Sequence, residues 1–318
     1  MESTNNKQKI PEIPRIPEEI FRAATSGRLV LFVGAGVSKI IGCPLWNEFA
    51  IKFLKFLYDQ KIIDFYVYEK LKNLQPVKLI SICKKLCEKK GIEPDYMAFL
   101  KADEELKNKF GIIYEYIYNF NAIYVTTNYD TYLDEVAEKL NKKSKIVFSE
   151  QNLLCNYLDQ GNIVHLHGSV RTKSTLIMTI SDYIINYSKG TKLSTILEYI
   201  FKKHTVLFIG YGLEEFDLLE FIVKSYMKNI DYRTKKDFRY FMLYPIFEQE
   251  ALLLDFLHEY YEDLGIKLIP YSIKYGYEQI VEILKDWSEK ISAIAKSKGF
   301  LDKIKLIDEV VLKNDSNS

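Results

Sequence analysis

Five consecutive apolar residues, Leu29-Val30-Leu31-Phe32-Val33, run directly into Gly34-Ala35-Gly36-Val37-Ser38. A strand that is apolar on both sides has no face to offer to water, so it belongs inside a parallel sheet with helices packed on both faces. The glycines at its carboxyl end let the backbone turn sharply and come close to a ligand or to another stretch of chain. In an open α/β sheet, ligands bind outside the carboxyl ends of the strands. This one segment therefore implies a fold class and also marks the edge where chemistry is to be sought.

The rest of the chain repeats the pattern. Candidate strands at 122–126, 145–148, 162–166, 205–209, 238–243 and 267–270 alternate with helical periodicity over about 130–140, 191–203, 214–228, 247–262 and 277–296. Repeated βα units predict a Rossmann-like, doubly wound parallel sheet. One region departs from this. From Trp46 to Asn119 the apolar residues recur only at helical spacing, as in Phe49, Phe53, Phe56 and Leu57, and then Leu79, Ile82, Cys83 and Leu86. The 318 residues suffice for one large domain with such an insertion. The expected organisation is a flexible arm over 1–17, a Rossmann-like domain over 18–45 and 120–300, a helical insertion subdomain over 46–119 and a C-terminal tail over 301–318.

Charge and cysteine usage exclude several classes. Lys and Arg number 44 against 43 Asp and Glu, a balance that gives no basic surface for nucleic acid. The four cysteines, Cys43, Cys83, Cys87 and Cys155, contain no C-x-x-C pair, so a four-cysteine zinc ribbon is not expected. No uncharged apolar stretch approaches the roughly 18 residues of a membrane span, and the N-terminal residues lack a signal-peptide core. A soluble, cytoplasmic protein is expected.

Four segments at strand ends carry candidate chemistry. Gly34-Ala35-Gly36-Val37-Ser38 suits a diphosphate cradled by backbone N–H groups, and suits equally a tight turn. A dinucleotide dehydrogenase would proceed to one helix and a second strand with an acidic residue, whereas this chain enters a long helical region. Thr126-Thr127-Asn128-Tyr129-Asp130 offers residues that can cap the next helix or bind a ribose hydroxyl and a carboxamide. Val164-His165-Leu166-His167-Gly168 holds two of the four histidines, which share a face if the strand stays regular. Gly210-Tyr211-Gly212 follows another apolar strand and permits a further close approach of backbone.

Taken in order, strand–GAGxS, T-x-N-x-D, H-G and strand–GxG resemble the sirtuin-type NAD-binding fold. The likeness spans roughly residues 28–220 and is greater to the divergent SIR2-like branch of bacterial antiphage defence than to the protein deacylases. The resemblance implies that Gly34, Ala35, Gly36 and Ser38 hold the NAD diphosphate and adjacent ribose. It implies that Pro44 and Trp46, in the Gly42-x-Pro44-x-Trp46 stretch, line the cofactor loop. Asn128 and Asp130 would contact the nicotinamide ribose and carboxamide, His167 would be the catalytic histidine, and Gly210, Tyr211 and Gly212 would lie near the adenosine half. Thr127 stands where deacylases usually carry Gln, and Pro44-Leu45-Trp46-Asn47 replaces their P-D-F-R stretch. These departures favour NAD hydrolysis to nicotinamide and ADP-ribose over deacylation, with a non-catalytic NAD or ADP-ribose sensor as the other alternative. NAD is then substrate, and no metal is required. Because unrestrained NAD hydrolysis would exhaust the cell, a homo-oligomer and a second defence protein, a sensor or an ATPase, are the expected sources of control.

Overall fold

The computed structural model describes residues 10–140, 146–147, 158–188, 190–212 and 239–294. Seven strands form one sheet: β1 (Leu29–Val33), β2 (Ile123–Thr126), β3 (Ile146–Val147), β4 (Ile163–His165), β5 (Thr205–Ile209), β6 (Tyr240–Ile246) and β7 (Ile266–Ser272). Their order is β3-β4-β2-β1-β5-β6-β7, and every pairing is parallel. This is the doubly wound, Rossmann-like α/β fold expected from the sequence. The helices are α1 (Glu18–Thr25), α2 (Ala35–Ile40), α3 (Trp46–Asp59), α4 (Phe65–Leu71), α5 (Pro76–Lys90), α6 (Tyr96–Phe99), α7 (Glu104–Phe110), α8 (Ile113–Tyr118), α9 (Tyr132–Lys139), α10 (Ile180–Tyr187), α11 (Lys192–Lys203) and α12 (Leu254–Asp263), with a further helix over 279–294. The helix expected over 214–228 and the tail over 301–318 lie outside the described residues.

The two-residue period of each strand sorts its side chains into two cores. Leu29, Leu31 and Val33 join Tyr124, Leu207, Ile209, Phe241 and Leu243 beneath α1, α8, α9 and the helix over 279–294. Val30 and Phe32 point the other way, with Ile123, Val125, Val164, Val206 and Phe208, into the apolar stripe of α11. A third core joins α3 and α5 through Phe49, Phe53, Leu57, Leu79, Ile80 and Cys83, and it extends to Tyr129, Val170, Leu176 and Met178 outside those helices. The helical stretch 46–119 therefore divides its allegiance: α3 and α5 build the third core, whereas α8 packs on the sheet.

The flexible arm expected over 1–17 is, from residue 10 onward, fastened to the sheet. Ile10 is buried. Ser272 N donates to the Pro11 carbonyl at 2.9 Å, and the buried Trp287 indole donates to the Pro14 carbonyl at 2.9 Å. The prolines that read as an unstructured arm have no N–H to contribute, but their carbonyls still accept.

Candidate functional site

Strand register brings the four sequence segments together. Val33, the last residue of β1, lies beside Thr126 of β2 and Ile209 of β5, and Thr126 lies beside His165 of β4. The carboxyl ends of β1, β2, β4 and β5 are thus level, around the point where the strand order reverses.

The two glycine turns mesh with each other. Gly34 N donates to the Ile209 carbonyl at 2.9 Å and Gly36 N to the Gly210 carbonyl at 2.8 Å. A Cβ on Gly34 would lie 2.5 Å from the Gly210 oxygen, and one on Gly36 would lie 2.7 Å from it. Tyr211 leaves this junction with its ring packed edge-on to Phe32, centroids 5.3 Å apart. Ala35 and Gly212 are exposed at the rim. The close approach that these glycines permit is thus, first of all, backbone against backbone.

Next to that junction, Ser38 organises the β2 loop. Its hydroxyl donates to Asp130 Oδ2 at 2.6 Å and accepts from Asn128 Nδ2 and from the Tyr114 hydroxyl, each at 3.1 Å. One donation and two acceptances saturate a hydroxyl. With Ser38 only 3% exposed, its work is to aim Asn128 and Asp130, both half-buried. Asn128 N donates to Thr126 Oγ1 at 3.0 Å, and Thr126 Oγ1 donates to the Val33 carbonyl at 2.8 Å, so the loop is tied to β1 a second time. Burial raises the Asp130 carboxyl above its ordinary pKa, with the Ser38 hydrogen bond opposing the shift.

The histidines do not share a face. β4 ends at His165; Leu166 and His167 enter a turn, and Gly168 follows at φ +78°. His165 places Nε2 at 3.1 Å from both Asp134 carboxylate oxygens and Nδ1 at 3.2 Å from the Asn128 carbonyl. His167 places Nε2 at 2.5 Å from the Tyr187 hydroxyl and Nδ1 at 3.5 Å from that of Tyr183. Burial alone takes the His167 ring down to a pKa of about 3, which leaves it neutral. For His165 burial also pulls downward, but the hydrogen bond and charge of Asp134 prevail, and its pKa is raised. His167 makes no direct bond to Asn128. Tyr129, the next residue after Asn128, has its ring centroid 6.4 Å from that of His167 and 5.6 Å from that of Trp46. Trp46 stacks in turn on Phe49, so α3 reaches the site through aromatic contacts, with Pro44 half-buried on the segment leading into it.

Residues 122–269 match the SIR2-like domain family. The chain is thus similar to that family over a little under half of its length. It is also 28% identical over 263 residues, 79% of its own length, to Defense-associated sirtuin 2 of Bacillus subtilis. The chain spans about a quarter (24%) of that protein's length. The SIR2-like match starts at Ala122, so β1 and its glycine turn precede it, yet their hydrogen bonds end on Ile209 and Gly210 within it.

Several residues that shape this edge of the sheet escape sequence reading. Tyr114 comes from α8, 76 positions from the serine it meets. Asp134 has a faint signal, one helical turn beyond Asp130, but that spacing is ordinary for a helix face. Tyr183 and Tyr187 lie four apart on α10 and have no local signal at all. Among the described residues, no group of three His, Cys, Asp or Glu side chains could hold a metal ion. The described cysteines are buried free thiols, Cys43 in the sheet's core and Cys83 and Cys87 in the third. Among the described residues, no helix is long and apolar enough to cross a membrane.

Proposed function

We propose that this chain hydrolyses NAD at the nicotinamide–ribose bond, giving nicotinamide and ADP-ribose, as the cytoplasmic effector of a bacterial antiphage defence system. The observation that carries the reading is the Ser38-fixed pair of Asn128 and Asp130, at the end of β2 beside β4, whose following turn carries His167. A hydroxyl-aligned carboxamide and a carboxylate match the hydroxyls of a ribose and the amide of nicotinamide in donor and acceptor types. The scissile bond is glycosidic with a cationic leaving group, and its cleavage builds oxocarbenium character on the ribose. Nicotinamide departs neutral, so no strong acid is called for. Asn128 orients ribose and water. His167, held neutral, accepts a hydrogen bond from a ribose hydroxyl once substrate displaces Tyr187. Trp46 and Tyr129 form the aromatic wall between the helical unit and this edge.

Control is assigned to assembly. Phe65 and Tyr66 stand exposed on α4, in the helical region that leaves the site loops, and this region is the proposed contact for a second copy of the chain or for a second defence protein, a sensor or an ATPase. Purified protein, with its activating partner where one is needed, should convert NAD to nicotinamide and ADP-ribose without an acylated substrate, as followed by chromatography. Asn128→Ala and His167→Ala should each lower turnover by about 10²–10⁴-fold. NAD left intact over hours by the fully assembled, triggered system refutes the proposal. Nicotinamide release only with an acetyl-peptide present would make the chain a deacylase.

A further inference from the structure

Asn128 is gripped from three directions. Thr126 Oγ1 takes its N–H, Ser38 takes its carboxamide, and His165 Nδ1 meets its carbonyl oxygen. The third grip differs in kind, because the ring that supplies it is backed by a carboxylate. His165 is 1% exposed and Asp134 is 0% exposed. Both ring nitrogens face oxygens that accept: a peptide carbonyl on one side and a carboxylate on the other. A neutral imidazole carries one N–H and can serve only one of them. Serving both takes an imidazolium, and the Asp134 carboxylate, 3.1 Å from Nε2, is the kind of partner that a buried cation needs. Among the described residues, the other charges facing the pair are Asp130, from the loop before α9, and Arg171, whose field reaches Asp134 from the turn after β4.

We infer that His165, braced by Asp134, is a positioning residue that fixes the Asn128 peptide and thereby the direction of the Asn128 carboxamide. The inference rests on the NAD-hydrolase reading for its kinetic consequence but not for its geometry. A pair serving only to plug the gap between β4 and α9 would need the Asp134 contact alone. Here Nδ1 is spent on the main chain of Asn128, a residue whose side chain the proposed site aims at substrate. If the Asn128 peptide turns, the carboxamide leaves Ser38 as well.

Two substitutions separate positioning from plugging. In His165→Gln the side-chain amide lies near the former Nε2, so it keeps a donor for Asp134 and loses the one for Asn128. In His165→Asn the amide lies near the former Nδ1, so it keeps the donor for Asn128; Asp134→Asn is added to remove the carboxylate left without its cation. H165Q should lose turnover by about 10²-fold, the scale of an ångström-level misplacement, with the KM for NAD little changed. H165N/D134N should recover most of that loss. The second readout is the carboxamide resonance pair of Asn128 in isotope-labelled protein, identified through Asn128→Ala. It should move or broaden in H165Q and stay near its wild-type position in H165N/D134N. Turnover that follows thermal stability across the variants, or carboxamide signals unmoved by H165Q, overturns the inference. If the wild type proves inactive on NAD, the hydrolase reading falls and the resonance experiment still decides the positioning role.

Discussion

Replacing Gly34 by alanine isolates the mesh between the two glycine turns. Gly34 sits at φ −103° and ψ 176°, extended backbone that alanine adopts without strain, so the cost comes from contact alone. The new methyl would meet the Gly210 oxygen and Tyr211 Cδ2 at 2.5 Å and Tyr211 Cα at 2.8 Å. Backbone atoms cannot swing aside, and the Tyr211 ring is held between Phe32 and Phe208. The β5 turn must therefore retreat by close to an ångström, which stretches the Gly34–Ile209 and Gly36–Gly210 hydrogen bonds. Overpacking of this kind costs about 1–3 kcal/mol, and a weakened hydrogen bond adds up to about 1 kcal/mol. For a chain of this size, a loss of ~1–4 kcal/mol lowers the thermal midpoint by roughly 1.5–6 °C. The assay is denaturant and thermal unfolding of NAD-free protein, wild type against G34A. Undiminished NAD-free stability combined with lost NAD affinity would refute the reasoning, because the glycine would then serve the ligand and not the turn opposite.

Three further outcomes are expected. Tyr187→Phe removes the hydroxyl from His167 Nε2 and should raise the rate at sub-saturating NAD by lowering KM; a fall in kcat would instead place Tyr187 in the chemistry. Trp287→Ala empties a fully buried indole site and strips the Pro14 carbonyl of its donor, so unfolding free energy should drop by about 3–5 kcal/mol, as read from urea titration. The His165 pKa is raised in the fold, so the pair's contribution is complete below the ordinary histidine value of 6.5 and is lost as pH rises through the higher folded value. The stability advantage of wild type over H165N/D134N should thus shrink on the alkaline side, and an advantage that grows there would contradict an imidazolium.

The sheet was legible because a strand buried on both faces must be apolar throughout, and Leu29–Val33 has no side chain in water. Strand limits were less legible where proline intervened. Sequence reading stops the sixth and seventh strands at Leu243 and Pro270, and proline lacks the N–H a ladder uses. The strands continue to Ile246 and Ser272 because Tyr244 pairs with Pro270 and Pro245 with Tyr271 in the last ladder of the sheet, at the end of β6 and on an edge strand, where a missing donor is tolerated. The helical stretch after Trp46 read correctly as strand-free. That α8 leaves its neighbours to cover the sheet was not readable, because its apolar residues look alike whichever core receives them.

The histidine segment shows where a sequence stops informing chemistry. The H-x-H spacing speaks of one strand face, but Gly168, present in the same segment, marks the turn that undoes it: a Cβ there would lie 2.2 Å from the Thr175 carbonyl, and φ is +78°. Once the strand ends at His165, each ring takes its character from whatever distant element faces it. Both are buried to nearly the same degree, so burial cannot explain why their pKa values move in opposite directions. The partner does. A carboxylate 31 residues earlier in the chain raises the His165 pKa against burial; the His167 ring, beside a phenol 20 residues later, is lowered by burial. The proposed roles follow from the protonation states. A ring that donates from both nitrogens has no lone pair for a substrate hydroxyl, so His165 can brace but cannot accept. A neutral ring keeps one acceptor nitrogen, and of the two histidines only His167 has one to offer.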